Sequence, residues 1–145
     1  MTDDISGGIS FYTEDIEFDD YNEGKISDWL TKVSKSEGSV IKFLNIIFCS
    51  DNYLHQLNVQ YLNHDTLTDV ITFPYDEGGE ISGDIFISTE RVLENSRHLG
   101  VSFKDELHRV MIHGLLHLLG YGDKTEEEEK EMREREDFYL GSREG

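Results

Sequence analysis

The chain has 145 residues, 37% of them hydrophobic and 11% aromatic, with 13 basic against 31 acidic side chains and a net charge of −18. That length and apolar content suit one domain over residues 1–145 with a real core, and they exclude a disordered chain. A broad basic face for nucleic acid is excluded too.

No stretch approaches the roughly 18 continuous apolar residues of a membrane helix. Met1 to Gly8 is acidic and lacks both a basic and an apolar leader region, so no signal peptide is expected. Cys49 is the one cysteine, which rules out an internal disulfide framework, and a cytoplasmic location follows as the simplest expectation. The charge is unevenly spread. Residues 1–24 carry −8, residues 123–137 carry −5, and residues 25–122 carry −5, which leaves room for a local positive surface.

In chain order, residues 9–18 mix aromatic and β-branched residues with acids and read as an edge-type first strand. Ile26, Trp29, Leu30 and Val33 fall at i, i+3, i+4 and i+7, which predicts an amphipathic helix over 25–37 closed by Gly38. The apolar, β-branched run 39–49 predicts a central strand. Ser50 or Asp51 caps a helix over about 51–62, with Leu54, Leu57 and Tyr61 on one face. Thr68 to Tyr75 reads as a third strand stopped by Pro74, the Asp-Glu-Gly-Gly run at 76–79 as a turn, and 80–88 as the second arm of a hairpin. Thr89 is the expected cap of a helix to Leu99, closed by Gly100. Ser102 caps a longer helix to Leu119, with Glu106 placed for a capping box counted from Phe103 or its neighbour. Thr125 opens a last helix to about residue 140, with Met132, Phe138, Tyr139 and Leu140 as its apolar contacts. The acidic run Glu126 to Glu129 is read as the solvated start of that helix. The fold class is α+β: a mixed four-stranded sheet with about five helices in the order β-α-β-α-β-β-α-α-α, parallel pairs made by helical crossovers and one antiparallel pair by the hairpin.

Within this frame residues 112–124, Ile-His-Gly-Leu-Leu-His-Leu-Leu-Gly-Tyr-Gly-Asp-Lys, carry the chemistry. His113 and His117 lie four apart on one helical face, and a glycine turn then delivers Asp123. Two helical histidines with a third ligand beyond the helix end are zinc-site spacing, and three protein ligands leave one tetrahedral position for a water of pKa about 7. His108 sits about 140° around the helix from His113, so it is read with His55, His64 and His98 as a surface or packing residue. Gly114 stands where a His-Glu-x-x-His protease carries its general base, which reduces the peptidase reading to a minor alternative.

The motif His-Gly-Leu-Leu-His-Leu-Leu-Gly-Tyr resembles the signature of the YbeY family of single-strand-specific metallo-endoribonucleases. Leu-Asn at 57–58, Thr-Asp-Val-Ile-Thr-Phe-Pro at 68–74 and Ser-Gly-Asp-Ile at 82–85 extend the resemblance in the family's order. It implies a bacterial cytoplasmic enzyme with one zinc per chain, acting on single-stranded RNA in ribosomal RNA maturation, including 16S 3′-end processing, and in ribosome quality control. Ribosomal proteins are its expected partners. It also implies His113 and His117 as ligands and a histidine as third ligand. This chain has Asp123 there, and a carboxylate also binds zinc while making Mn²⁺ more competitive. Where family members place a substrate-serving arginine after the tyrosine, Tyr61 is followed by Leu62. Arg109, one turn before His113, is the candidate replacement, with an ion pair to Asp105 or Glu106 as its structural alternative. Gly83 and Asp84 read either as a turn or bulge, or as a cleft edge with Asp84 supporting a ligand histidine. Two further functions stay open: a zinc hydrolase of a peptide or small ester, and a ribosome assembly factor whose metal is structural.

Overall fold

A computed structural model of the chain describes residues 8–62, 68–75 and 80–143. Its elements are β1 (Ile9–Thr13), α1 (Glu23–Ser36), β2 (Val40–Cys49), α2 (Asp51–Leu62), β3 (Val70–Pro74), β4 (Glu80–Ser88), α3 (Thr89–Leu99), α4 (Phe103–Leu118) and α5 (Glu126–Leu140). The order matches the sequence expectation. His64 and the turn expected at 76–79 lie outside the described residues.

The sheet runs β1-β2-β4-β3. β1 is parallel to β2 and β2 to β4, while β3 is antiparallel to β4. Leu44, Ile46 and Phe48 alternate along β2 and are fully buried with Ile85 and Ile87 of β4, so these residues define the core face. Helices α1, α4 and α5 pack into this same core through Leu30, Leu107, Met111, Leu115, Leu116 and Met132. Each such aliphatic side chain contributes about 1.5–3 kcal/mol when fully buried. A smaller cluster of Leu54, Cys49 and Ile71 seats α2.

Helix ends follow local chemistry. The Asn22 side chain accepts from Lys25 N–H, so α1 begins two residues before its expected start. Ser88, not Thr89, caps α3 by accepting from Arg91 N–H. Ser102 caps α4 by accepting from Asp105 N–H. The expected capping box at Phe103 and Glu106 does not form, because three residues beyond Ser102 stands Asp105, and Glu106 is buried instead. Among the described residues a capping box forms at α5, between Thr125 and Glu128. α5 is tied to α1 by the Trp29 indole N–H, which donates to the Tyr139 carbonyl at 2.9 Å. β1 is shorter than expected because Asp15 leaves the strand to accept from the Ser50 amide and hydroxyl.

Candidate metal centre

α4 crosses β4 and the edge strand β3, and the approach is close because Gly114 of the helix and Gly83 of β4 each lack a side chain. A Cβ on Gly114 would stand 2.9 Å from Ile85 Cδ1, and one on Gly83 would stand 2.9 Å from Leu118 Cδ2. Gly83 sits within β4, paired with Leu44 and Pro74, one residue past the β2–β4 register shift between Ile41 and Phe43, and is not a turn. Past Leu119 the chain turns on Gly120, whose φ of 110° lies in the left-handed region. That reversal carries Asp123 back to the helix.

The three expected ligands converge. Nε2 of His113 and Nε2 of His117 are 3.0 Å apart, and Oδ2 of Asp123 lies 3.2 Å from the second and 3.4 Å from the first. A tetrahedral zinc with bonds of about 2.0–2.1 Å spaces its ligands by roughly 3.3 Å. The other ring nitrogens fix what faces inward. His117 Nδ1 is 2.9 Å from the Tyr121 carbonyl, which can only accept, so this nitrogen donates and Nε2 is the one left facing inward. His113 Nδ1 is 2.6 Å from the Glu136 carboxylate and donates in the same way. Two ring nitrogens and a carboxylate oxygen then point at one spot, an arrangement that a single cation satisfies. Among the described residues, this is the one His/Cys/Asp/Glu trio that could hold a metal.

In the metal-free protein a proton is the competitor. Burial opposes charge on His113, but the hydrogen bond and charge of Glu136, helped by Asp123 and Asp69, outweigh it and raise its pKa. Metal binding would displace that proton.

The centre opens onto a cleft of about 530 Å³ whose walls include Asn58, Leu62, Asp69 and Thr72. Burial pushes the Asp69 carboxyl up, and Asn95 Nδ2 donates to it at 3.3 Å. A larger hollow of about 840 Å³ lies at the other end of α4, lined by Trp29, Phe103 and His108 among others.

The remaining site expectations fare unevenly. Arg109 does face the His113 side of α4, but its guanidinium is engaged by Glu136 at 2.8 Å and Asp137 at 2.7 Å, rather than by Asp105 or Glu106. The oxygens of Asp84 accept from Asn45 and from Tyr75, so the support of a ligand histidine falls to Glu136. Sequence reasoning missed Glu136 because it lies 23 residues beyond His113 inside an acidic helix, where no local spacing marks it. His108 is a packing residue, buried against Trp29 and accepting from Arg143 at 2.8 Å. In the acidic run, Glu128 closes the start of α5 by accepting from the Lys124 and Thr125 amides.

Known proteins place this arrangement. A family model described as Endoribonuclease YbeY matches residues 9–143. An Endoribonuclease YbeY of Flavobacterium johnsoniae is 51% identical over 126 residues, covering 87% of this chain and 91% of the relative. Those of Amoebophilus asiaticus and Flavobacterium psychrophilum are 50% and 53% identical, each over 91% of this chain and over 90% and 94% of their own length. A Thermotoga maritima protein solved in solution superposes with a TM-score of 0.65 at 31% identity, over 91% of this chain and 86% of that one. Matched along nearly its whole length and carrying its candidate ligands inside the matched region, the chain belongs to the YbeY family of endoribonucleases.

Proposed function

We propose that this chain is a zinc-dependent, single-strand-specific endoribonuclease acting as one domain over residues 1–145. Its role on this reading is cytoplasmic ribosomal RNA maturation, 16S 3′-end processing included, and ribosome quality control. The observation that carries it is the convergence of His113 Nε2, His117 Nε2 and Asp123 Oδ2 within 3.4 Å of one another at the mouth of the cleft. These three residues would hold the ion. A divalent cation held there would supply Lewis-acid chemistry and positive charge beside the RNA phosphate.

The chain's own residues do the rest. Glu136 and the Tyr121 carbonyl hold the two rings with Nε2 inward, and Arg109 balances the charge of Glu136. Leu62 and Thr72 line the wall over which a strand of RNA would lie. Because a charge of −18 repels free RNA, recruitment is assigned to a ribosomal protein surface rather than to the nuclease itself.

The test is cleavage of single-stranded RNA by metal-loaded wild type and by His117→Ala, with circular dichroism to verify the fold. Metal-dependent cleavage lost in the folded variant supports the reading. Equal cleavage by both would overturn it. Hydrolysis of peptide or ester substrates in preference to RNA would favour a different zinc hydrolase, and metal uptake without any cleavage would favour a structural metal in an assembly factor.

A further inference from the structure

We infer that Glu37, the C-terminal cap residue of α1, is a positioning residue for the metal centre, acting on His117 and Asp123 through Tyr121. The inference rests on the metal-binding reading above and adds a residue 84 positions away from the turn it holds.

The turn after α4 has two tasks. It must present the Tyr121 carbonyl to His117 Nδ1 at 2.9 Å, and it must bring Asp123 Oδ2 to 3.2 Å from His117 Nε2. Its own backbone is poorly suited to hold both. Tyr121 stands between Gly120 and Gly122, the residue type with the widest conformational freedom. Backbone hydrogen bonds secure the way in, from Gly120 N–H to the His117 carbonyl and from Tyr121 N–H to the Leu116 carbonyl, both 3.0 Å. Beyond the Tyr121 carbonyl itself, the next described hydrogen bond along the backbone is from Lys124 N–H to Glu128, also 3.0 Å. Between these, the anchor is the Tyr121 side chain. Its hydroxyl donates to Glu37 Oε1 at 2.8 Å, and the Arg135 guanidinium lies 5.8 Å from its ring centroid.

Glu37 is not needed there to finish α1. The helix is ended by the Glu37 backbone N–H, which donates to the Val33 carbonyl at 3.1 Å, and by Gly38 in the left-handed region. The side chain is instead 14% exposed, with Tyr121 on one oxygen and the Tyr139 hydroxyl of α5 on the other, where Arg135 Nη1 also lies 3.7 Å away. A carboxylate withdrawn from water is tolerable only where such donors satisfy it. The Arg135 contact is a longer ion pair, whereas the two phenols are directional donors, so Glu37 fixes where the Tyr121 ring, and with it the adjacent carbonyl, must sit.

The experiment measures zinc affinity of the full chain by competition with a chromophoric chelator, with the visible spectrum of the cobalt-substituted protein as a readout of ligand geometry. Glu37→Ala and Tyr121→Phe are each expected to weaken zinc by about tenfold, the low end of what outer-shell partners of a metal ligand contribute. They should also alter the cobalt spectrum in the same way, and the double variant should lose no more than either single. Tyr139→Phe removes the other phenol contact of Glu37 and is expected to lower the melting temperature with zinc affinity unchanged. Wild-type zinc affinity in both Glu37→Ala and Tyr121→Phe would overturn the inference. Losses that multiply in the double variant, or an equal loss in Tyr139→Phe, would do the same by making Glu37 a packing tie. A wild type that takes up neither metal would remove the metal centre itself, and this inference with it.

Discussion

Glu136 Oε2 lies 2.6 Å from Nδ1 of His113, so a carboxylate on the last helix decides which nitrogen of a ring on the preceding helix carries the proton. Such partners set both tautomer and ring orientation. Glu136→Ala is expected to weaken zinc binding by roughly 10–100-fold, measured by chelator competition at constant pH. Glu136→Gln keeps an acceptor oxygen and should lose less. Unchanged affinity in the alanine variant would remove Glu136 from the centre.

Asp123 gives this site a carboxylate where the family resemblance implies an imidazole. On the proposed ligand set, Asp123→Ala would remove a direct ligand and should lose at least the roughly 10–100-fold attached to an outer-shell partner. Asp123→His should raise the preference for zinc over manganese, because imidazole suits zinc and carboxylate suits the harder ion. Elemental analysis after exposure to both metals together reads the preference. A variant that keeps the wild-type ratio would show that Asp123 is not a ligand.

His108 predicts an acid sensitivity unrelated to the metal. Burial, with the charges of Arg143 and Lys104, pushes its pKa down to about 4, against a smaller opposing effect of Asp105. In the unfolded chain it titrates near 6.5. Between these values the unfolded chain takes up a proton that the folded one refuses, so stability falls as pH drops from about 6.5 toward 4, by up to about 3 kcal/mol. Urea unfolding at pH 7 and pH 5 should show the loss, and His108→Phe should shrink it. An identical pH dependence in the two proteins would rule His108 out as its source.

Gly83 is required by what faces it. A Cβ there would meet the Phe73 carbonyl oxygen at 2.8 Å as well as Leu118. The first contact is backbone and cannot swing aside. Gly83→Ala is therefore expected to destabilise the fold by roughly 1–3 kcal/mol, seen as a lowered urea midpoint. An unchanged midpoint would mean that β4 and α4 separate more readily than their packing implies.

Local physics was legible in the sequence; distant partnerships were not. The pairing of His113 with His117 follows from helical pitch alone, and Ser102 and Thr125 were readable as caps because a cap acts over three residues. At the start of α3 two adjacent hydroxyls, Ser88 and Thr89, compete for one boundary, and sequence alone does not choose between them. β3 lies at the edge, with β4 inserted between it and β2, and this strand order is a tertiary outcome that alternation cannot rank. Glu136 and Glu37 escaped for the same reason. Each is one acid among 31, and only the docking of α5 and α1 gives it a partner.

The single tryptophan of the chain sits at that docking surface, with its indole N–H on the Tyr139 carbonyl one turn beyond Glu136. Its fluorescence is thus a built-in gauge of whether the final helix is seated. Because the same helix carries the carboxylate that orients His113, emission from Trp29 and the occupancy of the centre should change together when α5 is loosened by truncation, urea or acid.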